Sequence, residues 1–402
     1  MQKYLQHPMK QEVTTKKVFI RTLGCQMNDR DSEALCGLLR EHGFSLVDSP
    51  QKADIVLFNT CSVRQHAEDK VFSELGQLRK LKIPNSKFQI PNKSQISNSK
   101  SPIIGVIGCM AQNYKEEIFK RAPQVDLVVG PNDLTSIPTL LKAMQTERCQ
   151  ALAVGAMERE RDFFVSDFRL EKNRASVVIS EGCNNFCTYC VVPFVRGRLR
   201  SRSSEAILTE IKRTLSQGIR HITLLGQNVN AYRDNDQKLD FVGLLKIISQ
   251  MEGLESVDFI TSHPKDTRVE LFKVMAGSDK IKQFLHLPVQ SGSNRILKLM
   301  NRGYTRQHYL KLAQAFRKIA GGRLTTDIIV GFPGETKKDF QDTLDLMERV
   351  RFDAAYIFKY SPRPHTQAAD FADNVPMQEK KRRHQLALNL QKKISREIKC
   401  AG

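Results

Sequence analysis

The 402-residue sequence contains no tryptophan, few aromatic residues and no long apolar run; aromatic residues make up 7% of it. The lack of tryptophan excludes no class of protein. No apolar run approaches the roughly 20 residues of a helix that spans a bilayer. The polar segment from Met1 to Lys17 lacks the apolar centre of a secretory signal peptide. We therefore expect a cytoplasmic protein that has no membrane contact.

Acidic residues are also scarce relative to basic ones, at 43 against 63, which gives a formal net charge of +20. A basic surface attracts phosphate backbones without reading their sequence. Nucleic acid is therefore the partner that the charge favours, and a soluble basic protein without such a partner is the alternative. Apolar residues at 40% and charged residues at 26% are typical of a globular protein.

Nine cysteines are present, and in a reducing compartment clustered cysteines bind metal more often than they form disulfides. Three of the nine stand apart from any cluster and are assigned no role. Cys36 lies in an amphipathic stretch and is predicted to be a core residue, Cys149 lies in a charged segment, and Cys400 lies two residues from the end of the sequence.

A C-x3-C-x2-C triplet, formed by Cys183, Cys187 and Cys190, is the most informative motif. Three thiolates at this spacing can hold three irons of a 4Fe-4S cubane and leave the remaining iron open to a small molecule. Zinc is the alternative, but zinc sites usually have paired C-x2-C elements and a further ligand, which is missing nearby. The ring of Tyr189 either adjoins the cluster or simply packs, and the sequence favours neither.

Apolar runs alternate with amphipathic stretches in the first part of the chain, over residues 16–145. Strands are predicted at 18–23, 54–59, 103–107 and 127–129, with helices between them. This alternation predicts a parallel sheet that is covered on both faces. Residues 82–101 are rich in Ser, Asn, Lys and Gln and are predicted to be a surface insertion. Residues 146–172 are predicted to be a linker.

A second series of strands and helices fills residues 173–402. Strands are predicted at 176–180, 222–225, 256–261, 284–289, 324–330 and 354–360. Six β/α units in this length predict a partial (β/α)6 barrel, since a closed eight-unit barrel would need more chain. Ligands of such barrels bind at the C-terminal ends of the strands, and Cys183 directly follows the first strand. The chain is thus predicted to be an α/β protein with two domains.

Three further cysteines, Cys25, Cys61 and Cys109, each directly follow a predicted strand of the first domain. The C-terminal ends of parallel strands form the edge at which open α/β sheets bind ligands. Three thiols that converge there predict a second iron–sulfur cluster, again with one open iron. Three buried structural cysteines are the alternative, because free cysteine is often buried.

Small and polar residues lie at the strand ends of the second domain, where a cofactor's ribose, carboxylate and adenine would bind. The predicted cofactor-binding residues are Tyr189, Gly226, Gln227, Asn228, Gln290, Ser291, Asp327 and Gly331. Loops of this composition are common after strands, so each one alone is a weak signal. His263 and His286 are possible general bases, although a packed or hydrogen-bonded role is the preferred interpretation of both.

The cluster loop, the three N-terminal cysteine motifs and the run from Gln227 to Tyr232 resemble the MiaB-type methylthiotransferases. The resemblance covers roughly residues 17–370. It implies an N-terminal methylthiotransferase domain joined to a radical S-adenosylmethionine (SAM) barrel. It also implies two 4Fe-4S clusters: the triplet would bind the one that cleaves SAM, and Cys25, Cys61 and Cys109 would bind the auxiliary one that carries the sulfur.

The resemblance further implies the reaction. A radical derived from SAM would remove the hydrogen at C2 of N(6)-dimethylallyladenosine 37 in tRNA, and a methylthio group would be added there. The cofactors would carry this chemistry without a protein acid or base. The implied partners are the tRNA anticodon stem-loop, an electron donor such as flavodoxin or ferredoxin, and a sulfur or cluster supply protein. We expect a monomer.

Two alternatives stay open. One has the same chemistry on threonylcarbamoyl-adenosine in tRNA or on a ribosomal protein. The other, of a different class, is an iron–sulfur carrier or electron-transfer protein, which would explain the cysteines and leave the cofactor-type loops unexplained.

The sequence departs from the family in two places. Members usually end in a small β-barrel, the TRAM domain, which helps to bind tRNA. Here about 40 residues follow the sixth predicted strand, and their basic run, Lys380 to His384, is predicted to be helical. The TRAM domain is therefore expected to be absent. His365 occupies a position where the family commonly has glycine.

Overall fold

The computed structural model describes residues 15–62, 65–82, 101–155, 163–234 and 236–401. Strands of the first domain alternate with helices, as predicted. The strands are β1 (Lys17–Leu23), β2 (Ser45–Leu46), β3 (Ile55–Thr60), β4 (Ile103–Ile107), β5 (Leu127–Val129) and β6 (Ala151–Ala153). The helices are α1 (Gln26–Glu41), α2 (Gln65–Lys82), α3 (Cys109–Tyr114), α4 (Glu117–Arg121) and α5 (Ile137–Thr146).

These strands form one parallel sheet in the order β2-β1-β3-β4-β5-β6. All residues of β3 and β4 are buried, as expected for central parallel strands that have helices on both faces. Alternate residues of β3 pack into two different cores: Ile55 and Leu57 into one, Val56 and Phe58 into the other. The predicted parallel sheet is confirmed.

The first domain differs from expectation in three details. Strand β6 lies within residues 146–172, which were predicted to be a linker, and it pairs with β5 as the edge of the sheet. Helix α3 was not predicted, and α1 starts at Gln26, whereas the sequence pattern predicts that helix from Asp31 to His42. Nearly all of the predicted insertion at 82–101 lies outside the described residues.

Strands and helices also alternate through the second domain. Its strands are β7 (Arg174–Val178), β8 (Ser180–Glu181), β9 (Arg200–Ser201), β10 (His221–Leu225), β11 (Arg233–Asp234), β12 (Leu239–Asp240), β13 (Ser256–Ile260), β14 (Phe284–His286), β15 (Arg323–Val330) and β16 (Ala354–Lys359). Its helices are α6 (Val192–Arg196), α7 (Ser204–Ser216), α8 (Phe241–Ser249), α9 (Val269–Ala276), α10 (Asn294–Leu299), α11 (Arg306–Ile319), α12 (Lys337–Val350) and α13 (Met377–Ala401).

Six of these strands form the predicted partial barrel. They pair in parallel in the orders β13-β10-β7 and β14-β15-β16. A parallel bridge between Val257 and Ile281 connects β13 to the chain that enters β14. Apolar residues on the outer face of the strands, such as Val177, Leu224 and Phe259, pack with the helices in one large core.

The chain after β16 contains the long helix α13, which packs against β16. The predicted helical state of Lys380–His384 is confirmed, and the Arg383 guanidinium forms a buried ion pair with Glu335 at 2.6 Å. Within the described residues this segment contains no strand. No helix in the described part of the chain is long and apolar enough to cross a membrane.

The two domains contact each other through apolar and charged residues. Met27 of α1 belongs to the same buried cluster as Val178 and Leu225, which end two barrel strands. Arg30 of α1 forms an ion pair with Glu210 of α7 at 3.1 Å, and both side chains are buried. The N-terminal domain therefore lies against the C-terminal ends of β7 and β10.

Candidate functional site

The triplet loop that carries Cys183, Cys187 and Cys190 follows β8, and a glycine shapes it. Gly182 has φ +74°, and a Cβ atom there would lie 2.1 Å from the carbonyl oxygen of Arg198. Within the loop, the Cys183 amide donates to the Gly197 carbonyl at 3.2 Å, and the Cys190 amide donates to the Cys187 carbonyl at 2.9 Å. Only glycine fits at position 182, because other residues would collide with the backbone that closes the loop.

The triplet thiols lie close together in a mostly buried setting. Burial, with a contribution from the Cys187 thiol, raises the pKa of Cys190 to about 12. Burial also raises the pKa of Cys183, and the neighbouring Cys187 thiol adds to this rise. The structure therefore brings the three predicted ligands together, and a cationic cofactor would be needed to hold all of them as thiolates.

Arg302 is a buried cation beside the triplet that the sequence did not reveal. Its Nη1 lies 3.3 Å from Cys187 Sγ and 3.2 Å from the Tyr189 hydroxyl. Its Nη2 donates to the Pro288 carbonyl at 2.8 Å. The hydroxyl of Tyr189 thus contacts Arg302, while its ring packs in an apolar cluster with Phe332.

The auxiliary triad, which we define as Cys25, Cys61 and Cys109, lies at one edge of the N-terminal sheet. Cys25 precedes α1, Cys61 follows β3, and Cys109 begins α3 after β4. Because β1, β3 and β4 are adjacent and parallel, their C-terminal ends meet. A Cβ atom on Gly24 would lie 2.3 Å from Cys61 Cβ, so the chains that carry Cys25 and Cys61 approach closely.

The auxiliary thiols also influence one another. A hydrogen bond with Cys61 is the largest cause that lowers the pKa of Cys25 to about 6, against the opposite effect of burial. Burial raises the pKa of Cys109, and the Arg196 guanidinium opposes this. The structure therefore places Cys25, Cys61 and Cys109 at one site, as the strand-end pattern predicted.

Thiolate ligands fit an iron–sulfur cluster better than a hard cation. Among the described residues, no three His, Cys, Asp or Glu side chains are grouped closely enough to hold a single metal ion. A cubane binds each thiolate through a different iron, so it spaces the ligands more widely than a single ion does. All six cysteines are free of disulfides, and their donor sets fit such a cluster.

A short helix, α6, connects the two sets of cysteines. It begins two residues after Cys190, and Val191 and Val195 pack in one buried cluster with Cys109. At its end Arg196 is buried and forms ion pairs with carboxylates from both domains. The triplet and the auxiliary triad therefore lie on either side of one element.

Several buried polar atoms in the segments that follow β7, β10 and β13 have no protein partner. They are Ser180 Oγ, Asn228 Oδ1, Asn230 Oδ1 and Ser262 Oγ. Buried polar groups are nearly always hydrogen-bonded, so a group of unpartnered ones at the strand ends fits a polar ligand. Asn228 also donates to Asp266 at 2.6 Å. Gln227 accepts a hydrogen bond from the Gly182 amide, and a Cβ atom on Gly226 would lie 2.6 Å from Ser180 Oγ.

The remaining predicted cofactor-binding residues lie on the other half of the barrel. Gln290 has φ +69° and pairs through its backbone with β15. Ser291 is fully buried, with its Oγ 3.5 Å from Thr343 Oγ1. The Gly331 amide donates to Glu335 at 2.7 Å. Ser291 and Gly331 thus have structural partners already, and a cofactor contact for Gln290, Ser291, Asp327 and Gly331 stays a prediction.

Both histidines are hydrogen-bonded, which agrees with the preferred interpretation. His263 accepts a hydrogen bond from the Lys265 amide at 3.2 Å, and burial together with the charge of Arg302 lowers its pKa to about 2. His286 contacts Thr325 at 3.0 Å, and its Nε2 lies 3.4 Å from a carboxylate oxygen of Asp327. His263 is therefore neutral over the physiological range.

His365 adopts φ +66°, a left-handed conformation that glycine reaches at little cost. This explains why glycine suits the position.

Three residues of the site, Arg196, Arg302 and Asp266, were not predicted from the sequence. Only Arg196 has a signal in the sequence: it is a basic residue at the end of the apolar stretch Val192–Arg196, just after a ligand cysteine.

Two solved structures with a similar fold are radical SAM enzymes. One is the radical S-adenosylmethionine methyltransferase TsrM from Kitasatospora setae, with a TM-score of 0.62 and 14% identity over 88% of this chain and 75% of that chain. Another is the cobalamin-dependent S-adenosylmethionine radical enzyme OxsB, with a TM-score of 0.57 and 15% identity over 96% of this chain and 56% of that chain. At these identities the likeness concerns the fold alone.

Sequence relatives are much closer. Residues 17–130 match the family described as Uncharacterized protein family UPF0004, and residues 177–347 match the Radical SAM superfamily. The tRNA-2-methylthio-N(6)-dimethylallyladenosine synthase of Moorella thermoacetica is 45% identical over 95% of this chain and 84% of its own length. That of Carboxydothermus hydrogenoformans is 46% identical over 95% and 85%. The chain therefore belongs to the radical SAM family of tRNA-2-methylthio-N(6)-dimethylallyladenosine synthases.

Proposed function

We propose that this protein adds a methylthio group to C2 of N(6)-dimethylallyladenosine at position 37 of tRNA, and that it uses both sets of cysteines. One observation carries the proposal: Cys109 of the auxiliary triad packs against Val191, which directly follows Cys190 of the triplet, and against Val195 of α6. A site that generates a radical and a site that holds sulfur must lie this close to act on one carbon atom.

The residues divide the work between holding cofactors and shaping the site. When bound, the cluster at the triplet supplies the electron that cleaves SAM, and the cluster at the auxiliary triad supplies the sulfur. Gly182 and Gln227 fix the triplet loop through their hydrogen bond. The unpartnered oxygens of Ser180, Asn228 and Ser262 are available to the polar groups of SAM.

The protein's own acids and bases take no part in removing the C2 hydrogen. His263 is neutral and already accepts a hydrogen bond, and His286 is engaged by Thr325 and Asp327. A C–H bond of this kind is beyond the reach of any side-chain base. The contribution of the barrel is to position the cofactor and to exclude water.

Two exposed aromatic rings are suited to contact RNA. Tyr356 is 56% exposed and Phe358 is 38% exposed, and both lie on β16, which pairs with β15 alone among the described strands. Ile357 between them is buried against α13, so the two rings lie on the opposite face. Exposed rings stack on nucleobases without regard to their identity, and the net charge of +20 favours the phosphate backbone.

The reaction consumes electrons and sulfur, which defines the other partners. We propose flavodoxin or ferredoxin as the electron donor, and a sulfur or cluster supply protein that reloads the auxiliary triad. The tRNA anticodon stem-loop is the proposed substrate element. A cytoplasmic location and a monomeric state complete the proposal.

Nucleoside mass spectrometry tests the substrate. A strain that lacks the endogenous synthase is complemented with this gene, and its tRNA is digested and analysed. Restored 2-methylthio-N(6)-dimethylallyladenosine is the expected result. Methylthio groups on threonylcarbamoyl-adenosine alone, or on none of the nucleosides, would contradict the proposal.

A single-turnover assay tests the reaction class. Reconstituted, reduced protein is mixed with SAM, and 5′-deoxyadenosine is quantified. Its formation separates an enzyme from an iron–sulfur carrier, which would yield none.

A further inference from the structure

We propose that Arg196 is a positioning residue for the auxiliary cluster, which it holds against the triplet domain and whose negative charge it offsets. The inference rests on the proposed function in one respect, namely that the auxiliary triad binds an iron–sulfur cluster.

The guanidinium of Arg196 joins the two domains. The residue is 2% exposed. Its Nη2 lies 2.6 Å from a carboxylate oxygen of Asp31, which is in α1, the helix that follows Cys25. Its Nη1 lies 3.3 Å from a carboxylate oxygen of Glu181, two residues before Cys183. One side chain thus contacts the elements that lead to both sets of cysteines.

The same helix also reaches the auxiliary triad. The charge of the Arg196 guanidinium acts to lower the pKa of both Cys109 and Cys25. Val195, the residue before it, packs with Cys109 in the same buried cluster. The charged and the apolar contacts of α6 therefore converge on one ligand of the auxiliary cluster.

The geometry requires arginine because its planar fork presents several donors at fixed angles. A lysine ammonium carries the same charge as a single point and cannot pair with Asp31 and Glu181 in the same way. A charge-preserving substitution therefore separates the positioning role of Arg196 from its charge.

Arg196 also changes the energetics of reduction. An electron added to a cluster adds negative charge, and a buried cation on the residue next to Val195, which packs against Cys109, stabilises the reduced state. Removal of the guanidinium would make the midpoint potential of the auxiliary cluster more negative. The carboxylates of Asp31 and Glu181 would lose their cationic partner, and their negative charge would also make the midpoint potential more negative.

The test isolates the auxiliary cluster in the full-length chain by replacing the triplet: Cys183→Ala, Cys187→Ala and Cys190→Ala. In this background Arg196→Met and Arg196→Lys are compared by redox titration followed by electron paramagnetic resonance. For Arg196→Met we expect at least a tenfold loss in the equilibrium constant for reduction, which corresponds to about 59 mV for one electron. Arg196→Lys keeps the charge and should shift the potential by less.

Arg30→Met is the matched control for Arg196→Met. Arg30 also forms a buried ion pair across the domain interface, with Glu210 at 3.1 Å, and no cysteine is among its recorded contacts in the described structure. Its substitution should leave the potential of the auxiliary cluster unchanged. A shift equal to that of Arg196→Met would assign the effect to a loosened interface and overturn the inference.

The intact cluster set provides a second readout, which also covers the case in which Arg196→Met does not fold. In Arg196→Lys with all six cysteines present, 5′-deoxyadenosine formed per methylthio group inserted should rise at least threefold, because SAM cleavage continues while sulfur is misplaced. An unchanged ratio overturns the positioning role.

Iron content separates a failure of the proposed auxiliary cluster from a failure of the proposed role of Arg196. If the triplet-free background binds no iron, the proposed auxiliary cluster and this inference both fail. If it binds iron and the potential of Arg196→Met equals that of the unsubstituted background, only the inference about Arg196 fails.

Discussion

Arg363 and Glu68 form a buried ion pair across the domain interface, with an N···O distance of 3.1 Å and side chains that are 7% and 1% exposed. Glu68 also accepts hydrogen bonds from Ser62, the neighbour of Cys61, and from the Tyr114 hydroxyl. Burial raises the pKa of Glu68, and the hydrogen bond from Ser62 and the charge of Arg363 oppose the rise. The pair therefore supports the Cys61 loop as well as the interface.

We expect Arg363→Met to lower the free energy of unfolding by about 3–5 kcal/mol, because it leaves the Glu68 carboxylate buried without its cation. Urea denaturation followed by circular dichroism measures the loss. Arg382→Met is the control: Arg382 pairs with Glu379 on the surface of α13 and is 54% exposed, so its loss should have little effect on the free energy of unfolding. Equal losses would show that the Arg363 pair is not stabilising in this setting.

Gly24→Ala should remove iron from the auxiliary triad. A Cβ atom at this position would lie 2.3 Å from Cys61 Cβ, and the backbone φ of +153° adds strain. The side chain of Cys61 would have to move away from Cys25. Iron analysis of reconstituted protein should show loss of the share bound by the auxiliary triad, with the triplet's share retained.

Gly43→Ala is the control for that experiment. Gly43 also has a positive φ, +85°, but a Cβ atom there would meet nothing within 4 Å. This variant carries backbone strain without displacing a cysteine, so its iron content should match that of the unsubstituted protein. Full iron content in Gly24→Ala would contradict the close approach of Cys25 and Cys61.

Much of the fold follows from local patterns in the sequence. The apolar run Ile55–Phe58 predicts a buried strand, which the structure confirms. Strand β6 escaped prediction because three residues, Ala151–Ala153, carry too little pattern, and only pairing with β5 makes them a strand. Helix α3 was missed because its short apolar segment follows directly on β4, which leaves no loop to mark the boundary.

The candidate site was predictable where chemistry depends on spacing and unpredictable where it depends on tertiary contacts. The cysteine positions were visible because each follows a strand or lies in the triplet. The pairing of Arg196 with Asp31 joins residues 165 positions apart, and no periodicity encodes it. The same is true of Arg302, which contacts Cys187 from 115 positions away.

The two sets of cysteines should be separable by substitution. Cys61→Ala is expected to leave SAM cleavage measurable while it stops sulfur insertion, because the triplet loop keeps its own hydrogen bonds and its contacts with Arg302. Cys187→Ala is expected to abolish cleavage. Single-turnover assays that quantify 5′-deoxyadenosine and the methylthio nucleoside in parallel measure both activities. Equal loss of both in a folded Cys61→Ala protein would count against separate roles.

Asp339 should stabilise the protein equally from pH 8 to pH 5. It forms a capping box with Thr336 at the start of α12 and also accepts hydrogen bonds from Ser293 and Arg295. Burial acts to raise the pKa of Asp339, but the hydrogen bonds from Arg295, Ser293 and Thr336 outweigh it, and the pKa falls below the usual 3.8. The stabilisation is therefore fully present above pH 3.8 and is lost only as pH falls toward the folded-state pKa.

Asp339→Asn measures this contribution. We expect a loss of about 1 kcal/mol or more in the free energy of unfolding, with the same value at pH 8, 6.5 and 5 in urea denaturation. A difference that shrinks between pH 8 and pH 5 would mean that the carboxyl group already takes up a proton in the folded state, and its pKa would then be raised.

Substitution of the exposed rings on β16 should weaken RNA binding without affecting SAM cleavage. Tyr356 lies on the same face as His286, with ring centroids 6.1 Å apart, and away from the core residue Ile357. Base–aromatic stacking contributes about 1–3 kcal/mol per base, so Tyr356→Ala with Phe358→Ala should reduce affinity for a dimethylallylated anticodon stem-loop by about tenfold or more. Fluorescence anisotropy of labelled RNA measures this affinity, and 5′-deoxyadenosine formation without RNA should stay unchanged.

Leu386→Ala controls for the loss of apolar surface area, because Leu386 is a 40% exposed apolar residue on α13. If Leu386→Ala lowers the affinity for RNA as much as the double variant does, base stacking on β16 is ruled out. Unchanged affinity in the double variant would rule it out as well.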